Sequence, residues 1–388
     1  MVPLAEKEGK PSAEAVAGLY FGFVLTGIGT NLLGVILPAL SGIWNLSDSH
    51  SGFLFAAQFT GSSTGALLMQ SNLFRSVTRG YALLIVGAIA FALCRGHFAA
   101  PLLFCFGLGL GSAMTATSML FGRMYAASRG ASLSLLNAFW GFGAVLCPLL
   151  ATGWERFRSS NSLYLMLAGL AILPLIVIAT QRGYLSQLRD EVVAVPNRQT
   201  KLSLLIPLAI FAFLYVGVES SISGWMMTYV HRMGLASGLY APIATSFFWI
   251  ALLVGRAAAP IALKRISESG LLMITLCVML VSNVMLLLSH TPAMSIISAS
   301  LAGLMMAPIF PLCMSKVLAI ASGPSESRWV FAISGMGGAV LPWMTGQLAS
   351  MSGSLRTGLA VPLVAGCVML LLHQSTLALM RRNGVENW

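Results

Sequence analysis

The sequence predicts an all-α integral membrane protein, with twelve transmembrane helices in two pseudo-symmetric bundles of six. Three observations carry that prediction. Of 388 residues, 57% are hydrophobic and only 9% are charged, against about 25% charged in soluble globular domains. Apolar runs of about twenty residues, each long enough to cross a hydrocarbon core of about 30 Å, recur from end to end. The two halves also repeat: GLGS at Gly109 and GFGAVLCP at Gly141 return as GLMM at Gly303 and GMGGAVLP at Gly335, displaced by the same interval. A duplicated unit of this kind is what an internal repeat in a transporter predicts.

Polar gaps and Gly/Pro clusters set the spans at 17–40, 50–72, 80–96, 99–124, 130–153, 161–180, 203–230, 239–263, 269–289, 293–321, 327–350 and 357–380. The first follows a polar tail, MVPLAEKEGKPSAEA, and precedes no small-residue cleavage site, so it reads as a retained helix and not a signal peptide. Spans three, six, nine and twelve are nearly featureless, as lipid-facing helices can be. Polar and helix-breaking residues gather in the other eight, which are expected to surround a cavity. The one long connection, 181–202, is polar and charged. The expected organisation is a tail at 1–16, a bundle at 17–180, a central loop at 181–202, a second bundle at 203–380 and a tail at 381–388.

The net charge of +11 does not point to nucleic acid, because the basic residues sit in the short gaps between spans. With the N-terminus in the cytoplasm, inside segments hold 16 of the 22 Lys and Arg residues and outside segments hold 5. That bias places both termini in the cytoplasm and makes the protein a multi-pass component of the cell inner membrane. The six cysteines lie in or at the edge of apolar segments, without metal spacing, and read as small core residues. The five histidines form no cluster, and no G-x-x-x-x-G-K-[ST] loop is present to bind ATP. A membrane enzyme would need a clustered nucleophile and base, or metal ligands at one depth, and the sequence offers neither.

Among eleven acids, only Glu219, in FLYVGVESSISGW, lies deep in a span. An intramembrane acid is a functional candidate by default. It could load and release a proton, or, ionised, ligate a sodium ion with Ser220 and Ser223. A salt bridge to Arg256 is disfavoured by depth, and Arg256 is expected to snorkel to the inner rim. Asn31, Gln58 and Asn137 each carry a donor and an acceptor into the membrane, which suits the reading of sugar hydroxyls. Trp140 and Trp225, deep in spans and outside the interfacial belts, could pack on the C–H face of a pyranose. Core packing and interhelical bonding are the structural alternatives for each. Pro308 and Pro311 free two carbonyls and bend span ten, which marks a lining or gating helix.

Several stretches carry a family resemblance. LYVGVESSISGW, VGRAAAPIALKRI, AGLMMAPIFPLCMSK and GMGGAVLPWMTGQL, with TNLLGVILPAL and LNAFWGFGAVLCPLL in the first half, resemble the fucose and glucose/galactose symporter branch of the major facilitator superfamily. The resemblance implies that fold, a central cavity, alternating access, and a hexose moved with H+ or Na+ and no cofactor. It implies a gating role for Arg256, although the matching first-half motif, GALLMQSNLFRSVTRG, lacks the usual aspartate. Where proton-coupled fucose carriers have acids in helices one and four, this sequence has Gly34 and Met114. The expectation is therefore a monomeric sugar:cation symporter; efflux of an apolar or cationic compound and uncoupled sugar uniport are the alternatives.

Overall fold

The computed structural model describes residues 12–69, 72–93, 96, 98–125, 129–155, 159–182, 202–233, 239–320 and 324–382. Most of the expected N-terminal tail, central loop and C-terminal tail lies outside the described residues. Twelve helical spans are present: α1 (Ala13–Trp44), α2 (Asp48–Leu67), α3 (Leu73–Ala92), α4 (Ala99–Met124), α5 (Arg129–Glu155), α6 (Ser162–Thr180), α7 (Leu202–His231), α8 (Tyr240–Ala262), α9 (Glu268–Leu287), α10, α11 (Pro324–Ser352) and α12 (Ala360–Arg382). A single turn, Leu355–Gly358, leads into α12.

Local chemistry sets the ends. Ser12, Ser47, Asn72, Ser267 and Thr291 each accept a backbone N–H from the first turn of the helix they open, which satisfies a donor the helix cannot. Asn45 adopts a left-handed conformation (φ 49°) and closes α1 just before Ser47 opens α2. The tenth span breaks where its prolines predict. Segment α10a (Pro292–Met306) stops before Ala307 and Pro308, and α10b (Ile309–Ile320) resumes after them.

The repeat in the sequence is a repeat in packing. In the first half α1 packs on α5 and α6, α2 and α3 on α4, and α3 on α6. In the second half α7 packs on α11 and α12, α8 and α9 on α10a, and α9 on α12. The halves meet along two equivalent seams, α2 with α11 and α5 with α8, and through α1 with α7. Ten of the spans are long and apolar enough to cross a membrane on hydropathy alone; α2 and α11 are not among them. Those two pack against each other, so Gly52, Gln58 and Ser63 of α2 and Gly335 and Gly338 of α11 face protein and not lipid. Gly335 lies against Ser63, Gly338 against Phe59, and Gly52 against the Trp343 backbone.

The halves are sealed together on the face away from the chain ends. There the Arg232 guanidinium holds both Asp48 carboxylate oxygens, at 2.8 and 2.5 Å. A Cβ on Gly34 would sit 2.7 Å from the Gly224 carbonyl oxygen, so only glycine lets α1 and α7 approach this closely. Toward the terminal face the seam opens. Gly141 of α5 meets Leu253 of α8, but Asn137, one turn nearer the termini on the same face, is exposed. Lys316, counted among loop charges from sequence, is instead buried on α10b inside the second half. It leaves the charge bias in the same direction.

Gly34→Leu is expected to prise α1 from α7. A thiol introduced at the covered Ser51 (Ser51→Cys) should then react with a membrane-impermeant reagent. Continued shielding of that thiol would contradict the seal described here.

Candidate functional site

The site is built on facing stretches of α7 and α8. Glu219 and Tyr215 are four residues apart and share one face of α7. Arg256 of α8 lies close enough for its charge to bear on the Glu219 carboxyl, as does the Tyr215 hydroxyl, although no ion pair joins Arg256 to Glu219 among the described residues. Arg256 Nε is covered, so the side chain is not extended to the membrane rim as expected. Depth along the axis alone misled, because Cα–Cβ bonds tilt toward a helix's N-terminus. Helices α7 and α8 run in opposite senses, so Glu219 leans toward the terminal face and Arg256 leans away from it. The two side chains therefore lean toward each other, yet among the described residues the ion pair is Arg232–Asp48, and Glu219 and Arg256 form none. Tyr215 also stacks on Phe310, just past the break in α10, with ring centroids 5.4 Å apart.

The polar atoms here are incompletely matched. Glu219 Oε1, the Tyr215 hydroxyl and Arg256 Nε are covered and have no hydrogen-bond partner, while Glu219 as a whole is only half-buried. A covered polar atom without a partner costs about 1–3 kcal/mol, so a cluster of them calls for a ligand, ion or water to complete it.

The amides and indoles extend the set across the seam. Gln58 donates from Nε2 to the Thr30 carbonyl at 3.0 Å and keeps Oε1 covered and unmatched. Asn31 donates to the Gly27 carbonyl at 2.9 Å, and Asn137 to the Leu133 carbonyl at 2.9 Å. Each amide therefore spends a donor on a backbone carbonyl and retains capacity for more. Trp140 of α5 meets Trp249 of α8 edge to face, 5.2 Å between centroids, and neither indole N–H has an acceptor. Counted at 1.5 Å per residue from the sealed face, Gln58, Asn31, Trp249, Glu219 and Trp140 lie about 13–23 Å deep, and Arg256, Tyr215 and Asn137 about 24–27 Å. They form a polar layer near the middle of the membrane.

Trp225 is placed differently from the expectation of a ligand contact. It is wholly buried, its N–H donates to the Pro342 carbonyl at 3.0 Å, and its ring packs on Phe55 of the other half. It fastens the sealed face. The Ser223 hydroxyl donates to the Glu219 carbonyl at 2.8 Å, and Ser220 is buried beside it. Pro308 marks the break in α10. Its missing N–H frees the Leu304 carbonyl, which points at Gly255, where a Cβ would come within 2.5 Å of it. Sequence reasoning passed over Tyr215 and ranked Trp249, also inside a span, below Trp140 and Trp225. Tyr215 is one turn before Glu219, and Trp249 is seven residues before Arg256 on the same helical face; both spacings were legible.

The comparisons with known proteins agree with this architecture. Residues 19–328 match the family model described as Major Facilitator Superfamily. The glucose/mannose transporter GlcP of Bacillus subtilis (strain 168) is 22% identical over 361 residues, 87% of this chain and 88% of that protein. Among solved structures, a D-xylose-proton symporter superposes with a TM-score of 0.76 at 15% identity over 94% of this chain and 96% of that one. The peptide transporter POT in complex with sulfate gives 0.71 at 16% identity over 96% of both chains.

The indoles give a test that needs no cargo. Trp→Phe keeps one aromatic ring and loses the N–H with part of the indole's volume, a packing loss common to all three sites. Trp225→Phe also deletes a satisfied N–H, so it should cost about 1 kcal/mol more than Trp140→Phe or Trp249→Phe, which delete unmatched N–H groups. A larger loss from Trp249→Phe than from Trp225→Phe would contradict these assignments.

Proposed function

The chain belongs to the Major Facilitator Superfamily, and from that premise we propose that it carries a hexose-type monosaccharide across the cell membrane by alternating access, together with a cation. Family and fold are those of transporters, with a small-molecule cargo and a lipid bilayer as surroundings. The observation that carries the sugar reading is the mid-membrane layer of Asn31, Gln58, Asn137, Trp140 and Trp249, drawn from both halves. Sugar hydroxyls both donate and accept, and these amides and indoles offer both. The name of the GlcP relative and that of the xylose symporter agree with this cargo class.

In this reading Glu219 couples the cation. A proton needs only the carboxyl itself, whereas a sodium ion needs a shell of several oxygens around it; we therefore favour H+ over Na+. Protonation releases Arg256 from its opposite charge, which links cargo loading to movement of α8 against α7. The charge bias orients both termini to the cytoplasm, so the sealed face is the outer one and the opening seam faces inward. Arg256 and the Pro308–Pro311 break then lie where the inner gate must work. The opposed charges of Glu219 and Arg256 support a second reading, a zwitterionic cargo such as a short peptide.

Proteoliposomes separate these readings. Labelled glucose or mannose should accumulate under a proton gradient and not under a sodium gradient. Glu219→Gln should abolish accumulation while preserving exchange of sugar for sugar. Asn137→Ala should raise KM about fivefold, the loss of one hydrogen bond of about 1 kcal/mol. Accumulation that survives Glu219→Gln would remove that residue from coupling, and dipeptide uptake without sugar uptake would favour the zwitterion.

A further inference from the structure

A second buried polar group lies apart from this layer, inside the second half and nearer the terminal face. His373 on α12 and Lys316 on α10b are each only 4% exposed. Both line one partly open cavity, with Leu208 and Phe211 of α7, Leu272 of α9 and Leu377 of α12, and with room for a water-sized ligand. His373 Nε2 is covered and has no partner, and the ring lies beside the Ser269 backbone. The other polar side chains of the cavity have spent their hydrogens. Thr376 donates to the Leu372 carbonyl at 2.7 Å, and Cys313 donates to the Leu208 carbonyl at 3.6 Å.

We propose that His373, Lys316 and the cavity between them form a second proton-binding site, distinct from Glu219, which clamps α10b to α12 only while His373 is neutral. A water in the cavity can accept from the Lys316 ammonium and donate to a neutral His373 Nε2 or to Thr376 Oγ1. That arrangement gives the water both donors and acceptors. A proton on His373 ends it. Nε2 becomes a donor, and a second cation stands beside Lys316 in apolar surroundings, where like charges are screened little. The groups facing the ring are Lys316 and the Cys313 thiol on α10b and Glu268 with the Ser269 backbone on α9. Helix α7 presents only Leu208 and Phe211. Among the described residues Glu268 is the acid near this group, and it lies at the start of α9, where it acts on Lys316. The part able to yield is α10b, because the Ala307–Pro308 break uncouples it from α10a. Acid therefore loosens the half-helix whose Phe310 holds Tyr215.

Cys313 supplies the readout, since its thiol is buried in the cavity wall. In the full-length protein, with the other cysteines changed to alanine, the rate of Cys313 alkylation is measured with His373 and with His373→Gln, which is neutral at every pH. The ratio of the two rates cancels the intrinsic pH dependence of the thiol. It should rise about tenfold from about pH 8 to about pH 5.5, the range over which an imidazole changes charge. Lys316→Met in the His373 background should abolish that rise. A ratio that stays constant with pH, or a rise that persists in Lys316→Met, would overturn the proposal. Neither measurement depends on the identity of the cargo.

Discussion

Inside hydrocarbon, a carboxylate, a guanidinium and a phenol can be satisfied only by one another, by water or by a cargo. Glu219, Arg256 and Tyr215 meet that constraint only in part: they lie near one another on facing helices, yet Glu219 Oε1, the Tyr215 hydroxyl and Arg256 Nε have no partner. Two antiparallel helices each tilt a side chain toward the other, so residues at different depths share one cluster. The remaining capacity of the cluster, with covered atoms that no neighbour matches, distinguishes it from a closed structural network. The same constraint explains why α2 and α11, the least apolar long helices, lie against each other.

The packing also shows how the halves can move. Seams α2–α11 and α5–α8 are equivalents under the internal repeat; Gly52, Gly335 and Gly338 lie in the first and Gly141 in the second. Backbone approaches such as Gly34 to Gly224 close only when the halves are rotated together, and the Asp48–Arg232 pair adds a solvent-exposed latch at the rim. Exposed pairs of this kind contribute about 0–1 kcal/mol. Closure therefore rests on close packing of the glycine seams and on the buried Trp225, with the ion pair setting register. The break in α10 adds a local hinge. The Leu304 carbonyl released by Pro308 faces Gly255, one residue from Arg256, so the hinge and the charged cluster share a neighbour.

Much of the architecture was legible in the sequence, because the bilayer imposes a length and a composition on every span. The twelve spans, the duplicated unit, the broken tenth helix and the isolation of Glu219 follow from run length, proline chemistry and the cost of burying charge. The site was legible only in part. Asn31, Gln58, Asn137 and Trp140 lie at depths that residue counting along their helices already gives. Trp225 does not act as a free contact, since no sequence pattern reveals that Pro342, far along the chain, takes its N–H. Arg256 was misplaced because axial depth omits the direction in which a side chain leaves its helix. The burial of Lys316 and His373 depends on four helices meeting, a tertiary fact with no local signature.

The central claim is that the Glu219 carboxyl changes protonation or environment when cargo binds. Infrared difference spectroscopy of the carboxyl C=O stretch, recorded on adding a transported hexose to the lipid-reconstituted protein, tests it directly. The account predicts a carboxyl band that shifts or changes amplitude with sugar and disappears in Glu219→Gln. A saturating hexose signal elsewhere in the spectrum, with no carboxyl change in the unsubstituted protein, would contradict it.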